Sequence, residues 1–393
     1  MADKFWGYPR PDGQVGVRNR LLVLSTCDCS YEVAKRIAAA IPDAVAVTQF
    51  HGCYGDPMVM RQMIGIGNNP NVAAVLVVGL GCETGSADQL VHGIAPSGKP
   101  LADVVIQRDG GTIRSIERGT RILREWASQV AAQPKERFDS SRLFVALECG
   151  GSDGTSGVSA NPAVGVASDM LVDAGATVVF SETGEMAGTG HLLARRAASE
   201  EVAQRIHGII DEMVRWKRAA GSDGRTIPQG NHEGGLTTME EKSMGSIRKA
   251  GTRTIQGVLE NSLERMDRPS GPGLWIQDGT TSDVPSITHM AAIGAQIAIF
   301  TTGRGSTTGH AIVPVIKVTG NPDTYEWLQD NIDVNGGRII QGRAGIRDVG
   351  VEIYQLLLEV ASGRKTKPEA LGFEDFVVYR IDTVAHNLMR ACA

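Results

Sequence analysis

The sequence predicts an α/β protein built on parallel sheets covered by helices on both faces. Three observations lead there. Short, continuous, β-branched runs alternate with amphipathic stretches, the pattern of strands buried on both sides. At 393 residues the chain exceeds what one core ordinarily holds, so two domains, or three, are expected. Its 48 glycines far exceed the ordinary share of roughly 7% and gather at the ends of the apolar runs, marking tight turns and close backbone approach.

Each element follows in order. The run LLVL at 21–24 leads into S-T-C-D-C-S and a helix to about 40. AVAV at 44–47 leads into Q-F-H-G-C-Y-G, and AAVLVV at 73–78 into G-L-G-C-E. VVI at 104–106 precedes Gly110-Gly111 and a helix over 115–130. The polar stretch AAQPKERFDSS at 131–141 is the expected boundary, giving an N-terminal α/β domain over 1–135 and a second domain over 136–393. The rhythm restarts with a strand at 143–147, the loop C-G-G-S-D at 149–153 and a helix over 162–172. TVVF at 177–180 precedes S-E-T-G-E and a helical region to about 219; a Gly- and Asn-rich loop at 221–235 opens a helix over 236–249. Further strands are expected at 274–276, 296–300 and 313–318, the middle one ending in T-T-G-R-G. In open α/β sheets ligands bind outside the carboxyl ends of the strands, which is where these loops fall.

Composition excludes several classes. A net charge of −5 and a pI near 5.9, without Lys/Arg blocks, give no footprint for nucleic acid. The N-terminus lacks an apolar signal region and no run reaches the ~18 apolar residues of a span, so neither secretion nor a membrane is expected and the cytoplasm is the default. Six cysteines, at 27, 29, 53, 82, 149 and 392, are too scattered for a disulfide framework. The runs at 79–85 and 303–309 miss the dinucleotide fingerprint because the third Gly is displaced, and no phosphate-binding G-x-x-x-x-G-K-[ST] occurs.

The loops that carry chemistry are few. Cys149, Ser152 and Asp153 offer a thiol, a hydroxyl and a carboxylate from one Gly-Gly turn; the plainer alternative is a buried structural Cys. Glu182 and Glu185, with His191 six residues on, could hold a divalent cation or move protons; either Glu could equally serve a helix N-terminus. Lys242 offers a base or a carboxylate anchor, against the ordinary reading of a solvated helix Lys. Arg304 and His310 suit an anion, since a guanidinium binds a carboxylate bidentately. Cys27/Cys29 is no C-x-x-C motif and reads as structural or ligand-lining; His51 and Cys53 suit a metal or a subunit contact.

Several motifs run in a fixed order. They are Gly7-Tyr8 through Gly16-Val17-Arg18-Asn19, His51-Gly52-Cys53, Asn69-Pro70-Asn71, Gly79 to Glu83, and Cys149 to Asp153 with Asn161-Pro162. Ser181-Glu182-Thr183, Gly234 to Thr238 with Glu241-Lys242-Ser243, Thr301 to Gly305 and Asn331 to Asn335 complete the set. Together they resemble the altronate/galactarate dehydratase family over nearly the whole chain. The resemblance implies a lyase that removes a β-substituent from a small anionic 2-hydroxy carboxylate, with iron(II) as activating metal and manganese(II) as the second choice. It also implies an N-terminal dimerisation domain and a C-terminal Rossmann-like domain with a mainly parallel sheet. Relatives often carry a small β-rich domain ahead of the opening signature; here a separately encoded small subunit is expected, as in two-part altronate dehydratases and (2R)-sulfolactate sulfo-lyase.

On this reading Cys149, Glu182, Asp153 and His191 surround the metal. Cys149, Asp153, His191 and Lys242 are the candidates for proton transfer, and Ser152, Thr237, Thr238, Arg304 and His310 for holding substrate oxygens. Glu148 stands where sugar-acid dehydratases commonly carry Lys, which with Asp278 to Thr281 and His310 leaves the substrate open. Dehydration of a sugar acid such as altronate is the first expectation, sulfite elimination the second, and a non-catalytic scaffold subunit the third.

Overall fold

The computed structural model describes residues 3–380 apart from positions 51, 54, 220, 224, 225, 263 and 379; the expectations placed on His51 and Cys392 lie outside the described residues. Two parallel sheets dominate. The first has four strands in the order Ala44–Val47, Arg20–Ser25, Val72–Gly79, Leu101–Val105, all parallel. The second has seven, in the order Ile255–Leu259, Gly273–Gln277, Thr177–Phe180, Phe144–Cys149, Ile297–Thr302, Val315–Thr319, Val334–Asn335, again all parallel.

Alternation along the strands sorts side chains into layers. Leu21, Val23, Leu76 and Val78 face the helices Asp28–Ala39 and Thr112–Ala132. Leu22, Leu24, Val75 and Val77 face the opposite way and merge into one core with Ala146, Ala298, Phe300 and Val315 of the large sheet. Helix Pro57–Asn68 of the first half packs there on helix Asp283–Ala292 of the second. Gly65 makes that approach possible: a Cβ on it would lie 2.2 Å from the carbonyl oxygen of Ala292. The Asn69-Pro70-Asn71 motif is the same joint, with Asn69 Nδ2 donating to the Ala291 and Ala295 carbonyls at 2.8 Å and Asn71 Nδ2 to Gln296 O at 2.8 Å. The far face of the large sheet, with Val145, Leu147, Val178 and Ile299, is covered by helices Ala160–Asp173 and Ile346–Ala361.

Three features differ from the sequence reading. The polar 131–141 stretch is not all linker: Glu136–Asp139 pairs antiparallel with Lys4–Pro9, which with Val15–Gly16 makes a third, small sheet. Phe5 thereby enters the core of the large sheet. The strand Ile255–Leu259 and the helix Ile346–Ala361 lack an expectation in the sequence reading, and the helix expected over 236–249 divides into Met239–Ser246 and a 3₁₀ turn, Ile247–Ala250. Among the described residues no helix is long and apolar enough to cross a membrane.

Candidate active site at the switch point of the large sheet

The chain enters the seven-stranded sheet at its middle, on Phe144–Cys149, builds outward to one side, and returns to the other side at Ile297–Thr302. The crevice outside the carboxyl ends of those two neighbours is the topological switch point, where open α/β sheets bind ligands. The loops that leave it are stitched together: Gly150 N–H donates to Thr301 O at 3.0 Å, and Gly303 N–H to Gly151 O at 3.1 Å. Gly151 has a φ of +61°, and a Cβ on Gly150 would meet Asp283 Oδ2 at 2.2 Å. The double glycine therefore lets a carboxylate from the neighbouring helix start reach the loop.

Cys149 ends its strand fully enclosed. Its Sγ lies 3.3 Å from Glu182 Oε2 and 3.4 Å from Glu185 Oε2, and Lys249 Nζ donates to it at 3.0 Å. Lys249 also donates to Glu182 Oε2 at 2.5 Å and to Ser246 Oγ at 3.0 Å. Lys242 closes the other side, donating to Glu185 Oε1 at 2.6 Å and Asn231 Oδ1 at 2.8 Å. Glu182 is held at a φ of +73°, a left-handed conformation that non-glycine residues adopt uncommonly and that Asp43 and Phe50 share.

Electrostatics follow from burial and pairing. Burial pushes Glu182 up to about 7 despite the Lys249 ammonium beside it. Burial, then the charge of Glu182, holds Glu148 well above the carboxylate range, and burial likewise pushes the Cys149 thiol up. Burial works against the Lys249 ammonium, but Cys149, Glu182 and Glu148 outweigh it and hold its pKa high; Lys242 is raised in the same sense by Glu185. Both lysines are thus ammoniums, and the Cys149 sulfur lies between them and the two carboxylates. Glu148 accepts from Ser286 Oγ at 2.6 Å, and its carboxyl is in hydrogen-bonding reach of Glu182, the Oε1 atoms of both being buried away from any N–H or hydroxyl. Two adjacent carboxyls of this kind coexist when one keeps a proton.

Cys149, Glu182 and Glu185 form a group whose donor atoms all lie within 4.8 Å of one another, close enough to hold one metal ion. The donor set fits a divalent cation that takes over the positions Lys249 and Lys242 hold against Cys149, Glu182 and Glu185: Glu182 Oε1 receives no N–H or hydroxyl, and one thiol with two carboxylates suits a borderline metal rather than calcium. A cleft of about 210 Å³ opens beside this group, lined among others by Ser152, Asp153, Asn161, Lys242, Ser246 and Arg248.

The other expected residues fall in different places. Asp153 is buried 3% exposed and saturated: Oδ1 accepts from Thr155 N–H (3.0 Å) and Oγ1 (2.7 Å) and from Ser156 N–H and Oγ (both 3.1 Å), while Oδ2 accepts from Asn321 Nδ2 at 2.9 Å. It shapes the cleft wall without joining the Cys149 group. His191 is exposed on the short helix Gly190–Ala194, outside that group. Thr237 and Thr238 are bound to Glu241, Thr238 Oγ1 capping the helix Met239–Ser246. Arg304 reaches Glu233 at 3.2 Å at the surface. His310 is buried; its Nδ1 accepts from the Ile312 and Val313 N–H groups at 3.2 Å, so Nε2 carries the proton toward Thr288 Oγ1. Burial lowers its pKa to about 3, which makes it a neutral structural imidazole with no donor left for an anion. Ser152 lines the cleft, its carbonyl accepting from Asn231 Nδ2 at 2.9 Å. Lys249 escaped the sequence reading altogether, and Glu185, named as a possible cation ligand, joins the group in place of His191.

A buried acid, thiol and lysine cluster at a switch point, beside a small polar cleft, defines an enzyme-type site. Residues 140–384 match the C-terminal domain of D-galactarate/altronate dehydratase, and residues 7–131 match the second domain of D-galactarate dehydratase/altronate hydrolase. The chain is 38% identical to (2R)-sulfolactate sulfo-lyase subunit beta of Chromohalobacter salexigens, over 96% of this chain and 97% of that one. It is 33% identical to galactarate dehydratase (L-threo-forming) of Escherichia coli, over 92% of this chain and 73% of the relative. Altronate dehydratase of Bacillus subtilis is 31% identical, over 96% and 77%. The chain belongs to the D-galactarate/altronate dehydratase family, and is an enzyme of the lyase class that family represents.

Proposed function

We propose that the chain is the catalytic large subunit of a metal-dependent lyase acting on a small 2-hydroxy carboxylate. The observation that carries this is the buried Cys149–Glu182–Glu185 group lying directly behind Lys242 and Ser246, two residues of the cleft wall at the switch point. The reaction passes the C2 proton to a base at the cleft, forms a C2=C3 double bond from the freed electron pair and expels the C3 substituent with its bonding electrons; the enol then tautomerises to a 2-keto acid. Cys149, Glu182 and Glu185 would hold the metal, for which iron(II) is the proposed identity. Bound there, it supplies positive charge to the carboxylate and hydroxyl of the substrate as the carbanion develops.

The chain's own residues do the rest. Arg248 at the cleft rim is a guanidinium for the substrate carboxylate, a place first expected for Arg304. Lys242, kept protonated by Glu185, is an ammonium at the cleft wall, an acid for departing hydroxide or a counter-charge for departing sulfite, and not the base. That assignment bears on the leaving group. Hydroxide must be protonated as it departs, whereas sulfite leaves as a stable anion and needs none.

Between the two substrates, sulfonated hydroxy acids are preferred over sugar acids. The sulfo-lyase subunit is matched over 97% of its length, while the two dehydratases are matched over 73% and 77% of theirs. The name "subunit beta" of that relative supports a separately encoded partner chain here. Dimerisation through the four-stranded sheet's half, a cytoplasmic location and a Rossmann-like descent for the large sheet belong to the same proposal. In chain order the large sheet runs 3-4-2-1-5-6-7, the doubly wound order with one strand inserted.

The test is co-expression with the small neighbour, anaerobic loading with iron(II), and supply of sulfolactate, altronate and galactarate. Sulfite with pyruvate is the expected result; a 2-keto-3-deoxy acid from a sugar acid would replace the substrate assignment. No product from any of them, with full metal content, would leave a scaffold subunit as the better description.

A further inference from the structure

Among the described residues that line the cleft, no titratable side chain is free to act as the base the reaction needs. Asp153 is saturated by Thr155, Ser156 and Asn321, Lys242 is an ammonium and Arg248 a guanidinium. Glu241 Oε2 accepts from Thr237 N–H and Oγ1 at 2.8 Å each, and the Thr237 N–H holds its carboxyl below the ordinary range, which makes it a weak base.

The turn Asn231-His232-Glu233-Gly234-Gly235-Leu236 abuts the cleft and is anchored on both sides. Inside, buried Asn231 donates from Nδ2 to Ser152 O at 2.9 Å and accepts at Oδ1 from Lys242 Nζ at 2.8 Å. Outside, Glu233 pairs with Arg304. Gly154 N–H donates to Gly234 O at 2.9 Å, and a Cβ on Gly234 would lie 2.8 Å from Asp153 Cβ, so the turn is seated directly on the C-G-G-S-D loop. Leu236 itself lines the cleft. His232 stands between the two anchors, exposed on the short helix Gln229–Glu233.

One bond orients its ring. Nδ1 lies 3.1 Å from the carbonyl oxygen of Leu236, a group that only accepts, so Nδ1 carries the proton and Nε2 keeps its lone pair. Among the described residues none hydrogen-bonds Nε2. An imidazole with one nitrogen fixed to a carbonyl and the other open is set up as a proton acceptor. The plainer alternative is a surface His that closes the turn, for which the Nδ1–H bond would be its whole role.

Resting on the lyase reading above, we propose that His232 is the catalytic base, its Nε2 taking the C2 proton of a hydroxy carboxylate held at the cleft by Arg248. The electron pair of the C2–H bond becomes the second C2=C3 bond, and the C3 substituent leaves with the electrons of its own bond. The imidazolium then gives its proton to water, which its exposure allows. Asn231 lies between this base and the Lys242 ammonium, so the proton-accepting and proton-donating groups stay on separate segments.

The test uses the co-expressed, iron-loaded enzyme and whichever of sulfolactate, altronate and galactarate the wild type turns over. His232→Asn places an amide N–H where Nδ1–H stands and removes the Nε2 lone pair. It is expected to lower kcat roughly a hundredfold or more with KM little changed, while circular dichroism and metal content stay those of the wild type. His232→Ala should lose as much, and added imidazole should restore its rate about tenfold. C2-deuterated substrate should turn over more slowly than the protonated form in His232→Asn, since proton abstraction is then the slow step. Wild-type kcat in His232→Asn, no rescue of His232→Ala by imidazole, or no isotope effect in His232→Asn would each overturn the base and leave the lyase reading standing. A folded, metal-loaded wild type that releases no product from any of the three substrates would overturn that reading, and the base with it.

Discussion

The two cysteine-bearing loop clusters occupy equivalent places, each at the carboxyl-end switch point of a parallel sheet, yet they are neutralised in opposite ways. Around Cys149 the balance is built from the chain itself, with Lys249 and Lys242 paired to Glu182 and Glu185. Around Cys53 the near neighbours are thiols and the Asp28 carboxylate, and Cys29 and Cys82 face solvent. Removing charge from water costs several kcal/mol per ion unless a partner replaces the lost hydration. A deep site must therefore carry counter-charges of its own, whereas thiols open to water need none because they can stay protonated. That difference ranks the consequences of mutation.

The largest effect is expected at Lys249. Lys249→Met keeps the bulk but strands Glu182 and Glu148 in a fully buried pocket. Breaking a buried pair of this kind costs roughly 3–5 kcal/mol, to be read as a lower urea midpoint at unchanged slope. Manganese(II) or iron(II) in excess should restore part of that loss, since a divalent cation can take over the missing charge. A variant as stable as the wild type without metal would show that the carboxyls simply protonate, and the contrast between the two clusters would then be one of burial alone.

Asp153 comes next. It was expected beside the metal, and instead it is the acceptor that ties Thr155, Ser156 and Asn321 into the cleft wall, with Gly303 packed so tightly that a Cβ there would meet its Cγ at 2.2 Å. Asp153→Ala should cost about 3 kcal/mol through donors left unsatisfied, and turnover should fall at least tenfold even in the folded fraction. Folded enzyme with wild-type turnover would remove Asp153 from the working site.

These residues also show how far the sequence could be read. The strand-end loops were legible because continuous apolar runs give the parallel sheets, and the topology then fixes where chemistry sits. Cys149 and Glu182 could be placed at strand ends because the first closes such a run and the second follows one by two residues. The Asn69-Pro70-Asn71 and Arg18 motifs were visible as motifs but not as joints; Arg18 pairs with Glu369 at 2.7 Å, and that partner lies 351 residues away. Lys249 was invisible for the same reason. It lies 100 residues from Cys149, at the end of an expected helix where a basic residue ordinarily needs no explanation. His310 misled because residue type suggests a donor, while its burial among backbone N–H groups makes it an acceptor.

That burial gives the third prediction. His289 and His310 are both enclosed, with pKa values lowered to about 3 by burial from an ordinary 6.5. A depressed basic group contributes stability that is complete above the unfolded value and is lost as pH falls. Between pH 6.5 and 3 each should therefore cost about 1.4 kcal/mol per pH unit. Urea midpoints at pH 7, 6 and 5 check the slope. His310→Gln, which lacks the titration, should remove one proton's worth of it and leave the high-pH plateau only modestly lowered.

The smallest effect is expected at Arg304, and it separates position from role. Its ion pair with Glu233 is 43% and 52% exposed, and pairs so open to water contribute well under about 1 kcal/mol. Arg304→Ala should accordingly leave the urea midpoint almost unchanged. The informative reading is kinetic, because Arg248 lines the cleft while Arg304 turns outward to Glu233. An unchanged KM for Arg304→Ala beside a KM raised tenfold or more for Arg248→Ala would place the substrate carboxylate on Arg248. The reverse pattern would mean that substrate breaks the Glu233 pair and draws Arg304 inward, making the T-T-G-R-G loop the part of the site that moves.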